Sequence, residues 1–286
     1  MEKPKSSSLA RRSLRLAAAC AVTTVVGLAG AVLIEGCSSS DSGTGGHRVV
    51  LATRVDVEPD AKTTFTTGIG WNVTLTSALI ATGPFAYFDG APPLVLQRAR
   101  RNWEFAQRFL GLSSAHAHPG HYQAGNALGE MRVPWSVDLF AGPANLADGD
   151  GVTGTYRSGR FTFSVPPAGP AADALGGHAA IAQGVAEKEG QEKRIFRAIA
   201  DLADIEKSAT DGHIEGCEFV ETDVETDGVV TAVVDPKVWF DLVDFSQIPE
   251  GSADAPSEFP AKSQPEIAFA QGVAQLSAYK FSFTKN

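Results

Sequence analysis

The sequence predicts a mainly β fold, an antiparallel β-sandwich with a few short helices, and three kinds of observation point to it. Short stretches alternate apolar and polar residues at a period of two, the pattern of a half-buried strand. Asp-Gly and other turn pairs interrupt the chain frequently. Helical periodicity is scarce. Arg48 to Val57 opens the body with a β-branched run, Trp71 to Ile80 alternates over Trp71, Val73 and Leu75, and Arg160 to Val165 alternates cleanly. Val133 to Leu139 and Thr153 to Val165 continue the series. Cys217–Glu225 and Val229–Val234 flank Thr226-Asp227-Gly228, which reads as a hairpin turn. Asp89-Gly90, Asp150-Gly151 and Asp211-Gly212 mark further turns. Many short strands with glycine-rich punctuation define the sandwich expectation.

Helices are expected at three places. Residues 92–112 interleave Leu96, Trp103, Ala106 and Leu110 with arginines. Asp235-Pro236 sets an N-cap and a first-turn proline before Val238–Val243, and Ser263 to Val273 repeats that logic around Pro265. Ile195 to Ile205 fits both periods. No internal repeat is present. The Gly/Pro-rich stretch 166–177 is the expected point of subdivision between two β halves.

The N-terminus carries an address. Lys3, Lys5, Arg11, Arg12 and Arg15 precede an uncharged apolar run, Leu16 to Ile34, which leads into Ile34-Glu35-Gly36-Cys37 and a polar tract. A basic start, an apolar stretch and a small-residue boundary make a secretory signal. The expected organisation is a signal peptide over 1–36, a flexible tether over 37–47 and an extracytoplasmic body over 48–286. Left uncleaved, the 19 residues from Leu16 to Ile34 would be just long enough to span a bilayer. Arg11-Arg12 also resembles a twin-arginine export signal.

Residues 34–37 resemble the lipobox of bacterial lipoproteins, with Glu35 standing where the family has a small or apolar residue. The resemblance implies acylation of Cys37 and a lipid anchor in the membrane. Ser38 after the cysteine implies an outer-membrane location, facing the periplasm or the exterior.

Removal of residues 1–36 leaves 19 basic and 31 acidic residues, a net charge of −12. So acidic a body has no electrostatic basis for nucleic-acid binding. Of three cysteines, Cys20 lies in the signal and Cys37 at the lipobox, so Cys217 is alone in the body and the fold cannot rest on an internal disulfide. A buried, small apolar role suits it best.

The sharpest chemical feature is Ala115-His116-Ala117-His118-Pro119-Gly120-His121, three of the six histidines within six residues. In extended chain His116 and His118 point the same way, and Pro119-Gly120 can turn His121 back toward them. Neutral imidazoles converging in this way suit Cu(II), Zn(II) or Ni(II). Glu130 could add an oxygen ligand and Met131 a sulfur, although one methionine and one thiol in the body disfavour Cu(I). His178 is a more distant candidate. The same histidines also fit a loop that holds no ion. The His-x-His element and the exported β-rich body resemble the periplasmic β-sandwich lipoproteins that bind copper and other metals. That resemblance implies metal capture, buffering or delivery, with an envelope protein or a metal-transport partner.

Two alternatives stay open: a metal-free envelope-binding or adhesion module, and a zinc-dependent hydrolase with Glu130 as base. No Gly-x-Ser-x-Gly elbow or phosphate-binding loop supports an enzyme, and no catalytic residues are assigned. Glu215, Glu218, Glu221, Asp223, Glu225 and Asp227 crowd the expected hairpin and read as a solvated acidic face. Asp148-Gly149-Asp150-Gly151 lacks the remaining calcium-loop ligands and reads as a turn.

Overall fold

Sequence alternation becomes a barrel. The computed structural model describes residues 46–93, 122–209 and 211–286; strand makes up 45% and helix 15%, so the mainly β expectation holds. Strands β1 (Arg48–Val57), β4 (Phe85–Phe88), β5 (Ala127–Met131), β8 (Gly149–Val152), β9 (Gly154–Thr162), β12 (His213–Val224), β13 (Gly228–Val234) and β15 (Tyr279–Lys285) form one sheet. Its order is β13-β15-β12-β9-β4-β5-β8-β1, and β1 pairs in turn with β13, closing an eight-stranded ring. Strand β7 (Ala144–Asn145) adds to β1 beside the ring.

A second sheet runs β14-β11-β10-β3-β2, built from β2 (Phe65–Thr66), β3 (Asn72–Thr82), β10 (Ala180–Glu187), β11 (Arg194–Ala200) and β14 (Ser257–Glu258), with β6 (Trp135–Asp138) also on β3. The expected sandwich is therefore corrected to a closed barrel with a separate second sheet. In-and-out alternation looks the same on a barrel stave and on a sandwich strand, so periodicity could not separate them. Nor is the fold wholly antiparallel: β1–β13, β12–β15 and β11–β14 are parallel pairs.

The expected hairpin at Asp227-Gly228 is also corrected. Strands β12 and β13 do not pair, because the C-terminal strand β15 lies between them. Asp227 instead accepts a hydrogen bond from Val50 N–H at 2.8 Å, which ties the β12–β13 connection to β1. Asp150-Gly151 belongs to β8 rather than to a turn. Each glycine there meets a close neighbour: a Cβ on Gly149 would lie 2.6 Å from the Glu130 carbonyl oxygen, and one on Gly151 2.6 Å from Leu51 Cδ1.

Side chains fill the barrel, as expected for eight strands. Leu51, Phe85, Tyr87, Met131, Tyr156, Phe161 and Phe281 are fully buried, and their rings pack at 5.6 Å (Phe85–Phe281) and 4.2 Å (Phe161–Tyr279) between centroids. Outside, Arg48, Asp150, Glu215 and Lys280 are exposed on the wall.

A second aromatic group, Trp71, Phe196, Phe240, Phe245 and Phe269, packs the other sheet against α3 (Gln264–Val273). Ser263 caps α3, accepting from Glu266 N–H, as the sequence expected. The Asp235-Pro236 signal yields a short 3-10 turn, Val238–Phe240. The ambiguous stretch 195–205 holds both structures, β11 and then α2 (Leu202–Ile205), which explains its mixed periodicity. Residues 166–177, with α1 (Ala172–Leu175), connect β9 of the barrel to β10 of the second sheet. The described residues belong to one compact unit, and one buried apolar cluster runs through both sheets.

Candidate functional site

His116, His118 and His121 lie outside the described residues, as do Cys37 and all of the helix expected over 92–112 beyond residue 93. What the structure does describe is the pair of chain ends that flank them. Strands β4 and β5 are antiparallel neighbours joined through residues 89–126, and the base of that connection is clamped. Gly90 N–H donates to the Ala124 carbonyl at 2.8 Å, and both Asn126 N–H and its side-chain amide donate to the Asp89 carboxylate at 2.7 and 2.9 Å.

Above this clamp the chain leans on the barrel wall. The Tyr122 hydroxyl lies 2.6 Å from Ser158 Oγ on β9, and Ser158 is fully buried beneath it. Gly216, a β12 residue with φ of +76°, supplies the space: a Cβ there would lie 2.5 Å from Pro93 Cδ and 3.3 Å from Tyr122 Cε2. Only glycine takes this backbone conformation without strain and admits the stalk so closely. The register of β12 against β9 shifts at this residue, as at a β-bulge.

A small charged group surrounds the stalk. Arg160 Nη2 donates to Glu215 Oε1 at 2.5 Å, and His213 Nε2 lies 3.5 Å from the same oxygen. These three share the outer wall, because Arg160 pairs with Glu215 across β9 and β12 and His213 is two residues away on the same strand. The Arg160 guanidinium also sits 5.5 Å from the Phe88 ring centre, a cation–π distance. Burial raises the Tyr122 phenol above its ordinary range, and the nearby Glu215 carboxylate adds to that shift. The phenol therefore stays protonated at neutral pH, and either hydroxyl of the Tyr122–Ser158 pair can be the donor.

Two further candidate ligands are described, and the strand does not bring them together. Glu130 and Met131 are consecutive on β5, so their side chains leave opposite faces. Glu130 stands outside, ion-paired with Arg132. Met131 is fully buried in the barrel, where its Sδ accepts from Val133 N–H at 3.3 Å. His178, the distant candidate, is held by Asp201, Nδ1 to Oδ1 at 2.5 Å. Cys217 is a core thiol, as expected; burial pushes its pKa up to about 12. Among the described residues no group of three or more His, Cys, Asp or Glu side chains is placed to hold a metal ion.

The acidic face is largely engaged. Glu221 faces Arg157 at 3.4 Å, and Asp223 accepts from Thr155 Oγ1 at 2.5 Å. Strand β12 ends at Val224, so Glu225 and Asp227 lie beyond the strand that carries the other four acids.

The wall group around Tyr122 was missed in the sequence. One local signal existed: the spacing His213-x-Glu215 puts an imidazole and a carboxylate on one strand face. Arg160 and Tyr122 come from 53 or more residues away, and only the β9–β12 register brings them there. No family model matches the chain, and no curated protein or solved structure matches it either.

Proposed function

We propose that this chain is an exported, lipid-anchored protein that binds a divalent transition metal, Cu(II) or Zn(II), through His116, His118 and His121, for capture, buffering or delivery. One observation carries the reading. Three imidazoles fall within six residues, directly before a residue, Tyr122, that is anchored on a rigid barrel wall. A ligand set close in sequence makes a local clip, and fixing one flank lowers the entropy lost when the clip closes on an ion.

The donor set in this proposal is imidazole alone. Recruiting Met131 would pull a fully buried side chain out of the barrel core, and Glu130 would have to leave Arg132. The net charge of the body favours the approach of cations. Export and acylation at Cys37 rest on the basic, apolar and lipobox-like order of residues 1–37. Among the described residues no helix is long and apolar enough to cross a membrane, and the 16–34 stretch lies outside them.

X-ray absorption of the zinc- or copper-loaded chain tests the ligand set. The proposal expects a nitrogen and oxygen shell at about 2.0–2.1 Å with imidazole scattering and no sulfur shell near about 2.3 Å. A sulfur shell, or the absence of bound metal after loading, overturns it.

A further inference from the structure

The second sheet carries a cleft that the metal reading does not use. It has a volume of about 300 Å³ and lies between β6 and residues 170–174, which include the start of α1. Ser136 and Asp138 are two apart on β6 and share a strand face. Directly opposite them on β3 stand Ala81 and Leu79. Those two residues pack with Ala171, Leu175 and Ile181 in a small cluster separate from the main core, so this face looks toward α1.

Two polar groups on that face are left with capacity to spare. Ser136 is 1% exposed, and its Oγ has no hydrogen-bond partner among the described residues. Leaving a buried hydroxyl unpaired costs about 1–3 kcal/mol. Asp138 accepts from Phe140 N–H through Oδ1 at 2.9 Å. No cation among the described residues pairs with its carboxylate.

The rest of the lining is apolar, including Trp135, Pro143, Pro170 and Ala174. An ionised carboxylate can only accept, and a serine hydroxyl can accept as well as donate. The group complementary to both is a cationic donor, and the apolar walls call for a hydrocarbon body behind it. Strand geometry sets the Cα atoms of residues i and i+2 about 6.7 Å apart, a spacing that one ammonium with three N–H bonds can bridge. The volume lies at the small end of ligand pockets.

We propose that this cleft binds a small organic primary ammonium, with the nitrogen paired to Asp138 Oδ2 and the hydrocarbon portion against the proline and alanine walls; Ser136 Oγ, closed off from the cleft in this conformation, joins only by rotating about χ1. The site is independent of the histidine segment.

Calorimetric titration of the purified full chain at fixed ionic strength tests it, with n-butylammonium as probe and butyrate as control. The expected result is saturable one-site binding of the amine and none of the carboxylate. Asp138→Asn, which keeps the acceptor for Phe140 N–H, should weaken binding at least tenfold; Ala174→Leu, which narrows the cleft and leaves Asp138 intact, should weaken it as well. Each variant is first checked for a native-like melting curve. No saturable binding of butylammonium overturns the proposal. So does equal affinity in Asp138→Asn, or undiminished binding in a folded Ala174→Leu chain.

Discussion

Tyr122 and Ser158 meet hydroxyl to hydroxyl at 2.6 Å, one on the returning limb of a 38-residue connection and the other fully buried on a barrel stave. The contact fixes the residue next to His121 against the wall. Removing it by Ser158→Ala leaves the half-buried Tyr122 hydroxyl without this partner. The expected loss is about 1 kcal/mol of unfolding free energy, read from urea denaturation. No change in the denaturation midpoint would mean that Tyr122 is not seated there.

Gly216 makes that seat. Alanine at this position must adopt a positive φ and push against Pro93. Together, strain and displacement should cost about 1–3 kcal/mol, or a fall in Tm of several degrees for a chain of this size. Gly216→Ala should also expose the Tyr122 ring to solvent, visible as faster ring iodination. An unchanged Tm would contradict the close approach at this bulge.

Barrel closure depends on the last strand. Tyr279–Lys285 bridges β12 and β13, which have no ladder of their own. A chain ending at Ala278 should therefore lose its cooperative thermal transition, because removing β15 opens two long edges and exposes the aromatic interior. A truncated chain that still melts sharply would contradict the topology.

The buried acids that titrate at high pH make the fold alkali-sensitive. Burial raises the Cys217 thiol to about 12 and the Tyr156 phenol to about 12. Both groups stay protonated in the folded chain while the unfolded chain ionises them at its ordinary, lower values. Above pH about 9 the folded state thus holds more protons, and stability falls as pH rises, approaching about 1.4 kcal/mol per pH unit for each group. The decline begins with the thiol and steepens above pH about 10 as the phenols join. Stability curves of wild type and Cys217→Ala over pH 8–11 check this, and the variant should lose the first part of the fall. Parallel curves would contradict the assignment.

Much of the fold was legible because strand periodicity is local. Arg48–Val57 emerges with the bounds its β-branched run suggested, and Ser263 caps the helix it was expected to cap. Closure was not legible. It depends on β1 meeting β13, 177 residues apart at Leu51 and Gly228, and on a terminal strand entering what reads locally as a hairpin. The candidate site divides in the same way. Histidine spacing is visible in one line of sequence, whereas the wall beneath the flanking Tyr122 needs β9, β12 and a glycine bulge in register. Glu130 and Met131 looked like neighbours to the cluster because sequence distance hides strand alternation, which turns one outward and the other into the core.

That alternation separates the candidate ligands experimentally. Met131→Leu is close to volume-conserving and should cost less than about 1.5 kcal/mol, with metal binding unchanged. Glu130→Gln should also leave metal binding intact. Loss of the ion in a folded Met131→Leu chain would show that sulfur is a ligand and that the barrel wall opens to supply it.

The central claim is tested most directly by elemental mass spectrometry of the chain after equal loading with copper, zinc and nickel, beside the triple substitution His116→Ala/His118→Ala/His121→Ala. The account predicts one retained ion per chain, lost in the triple variant while its melting curve is preserved. Retention of equal metal in both chains, or of none in either, would contradict it.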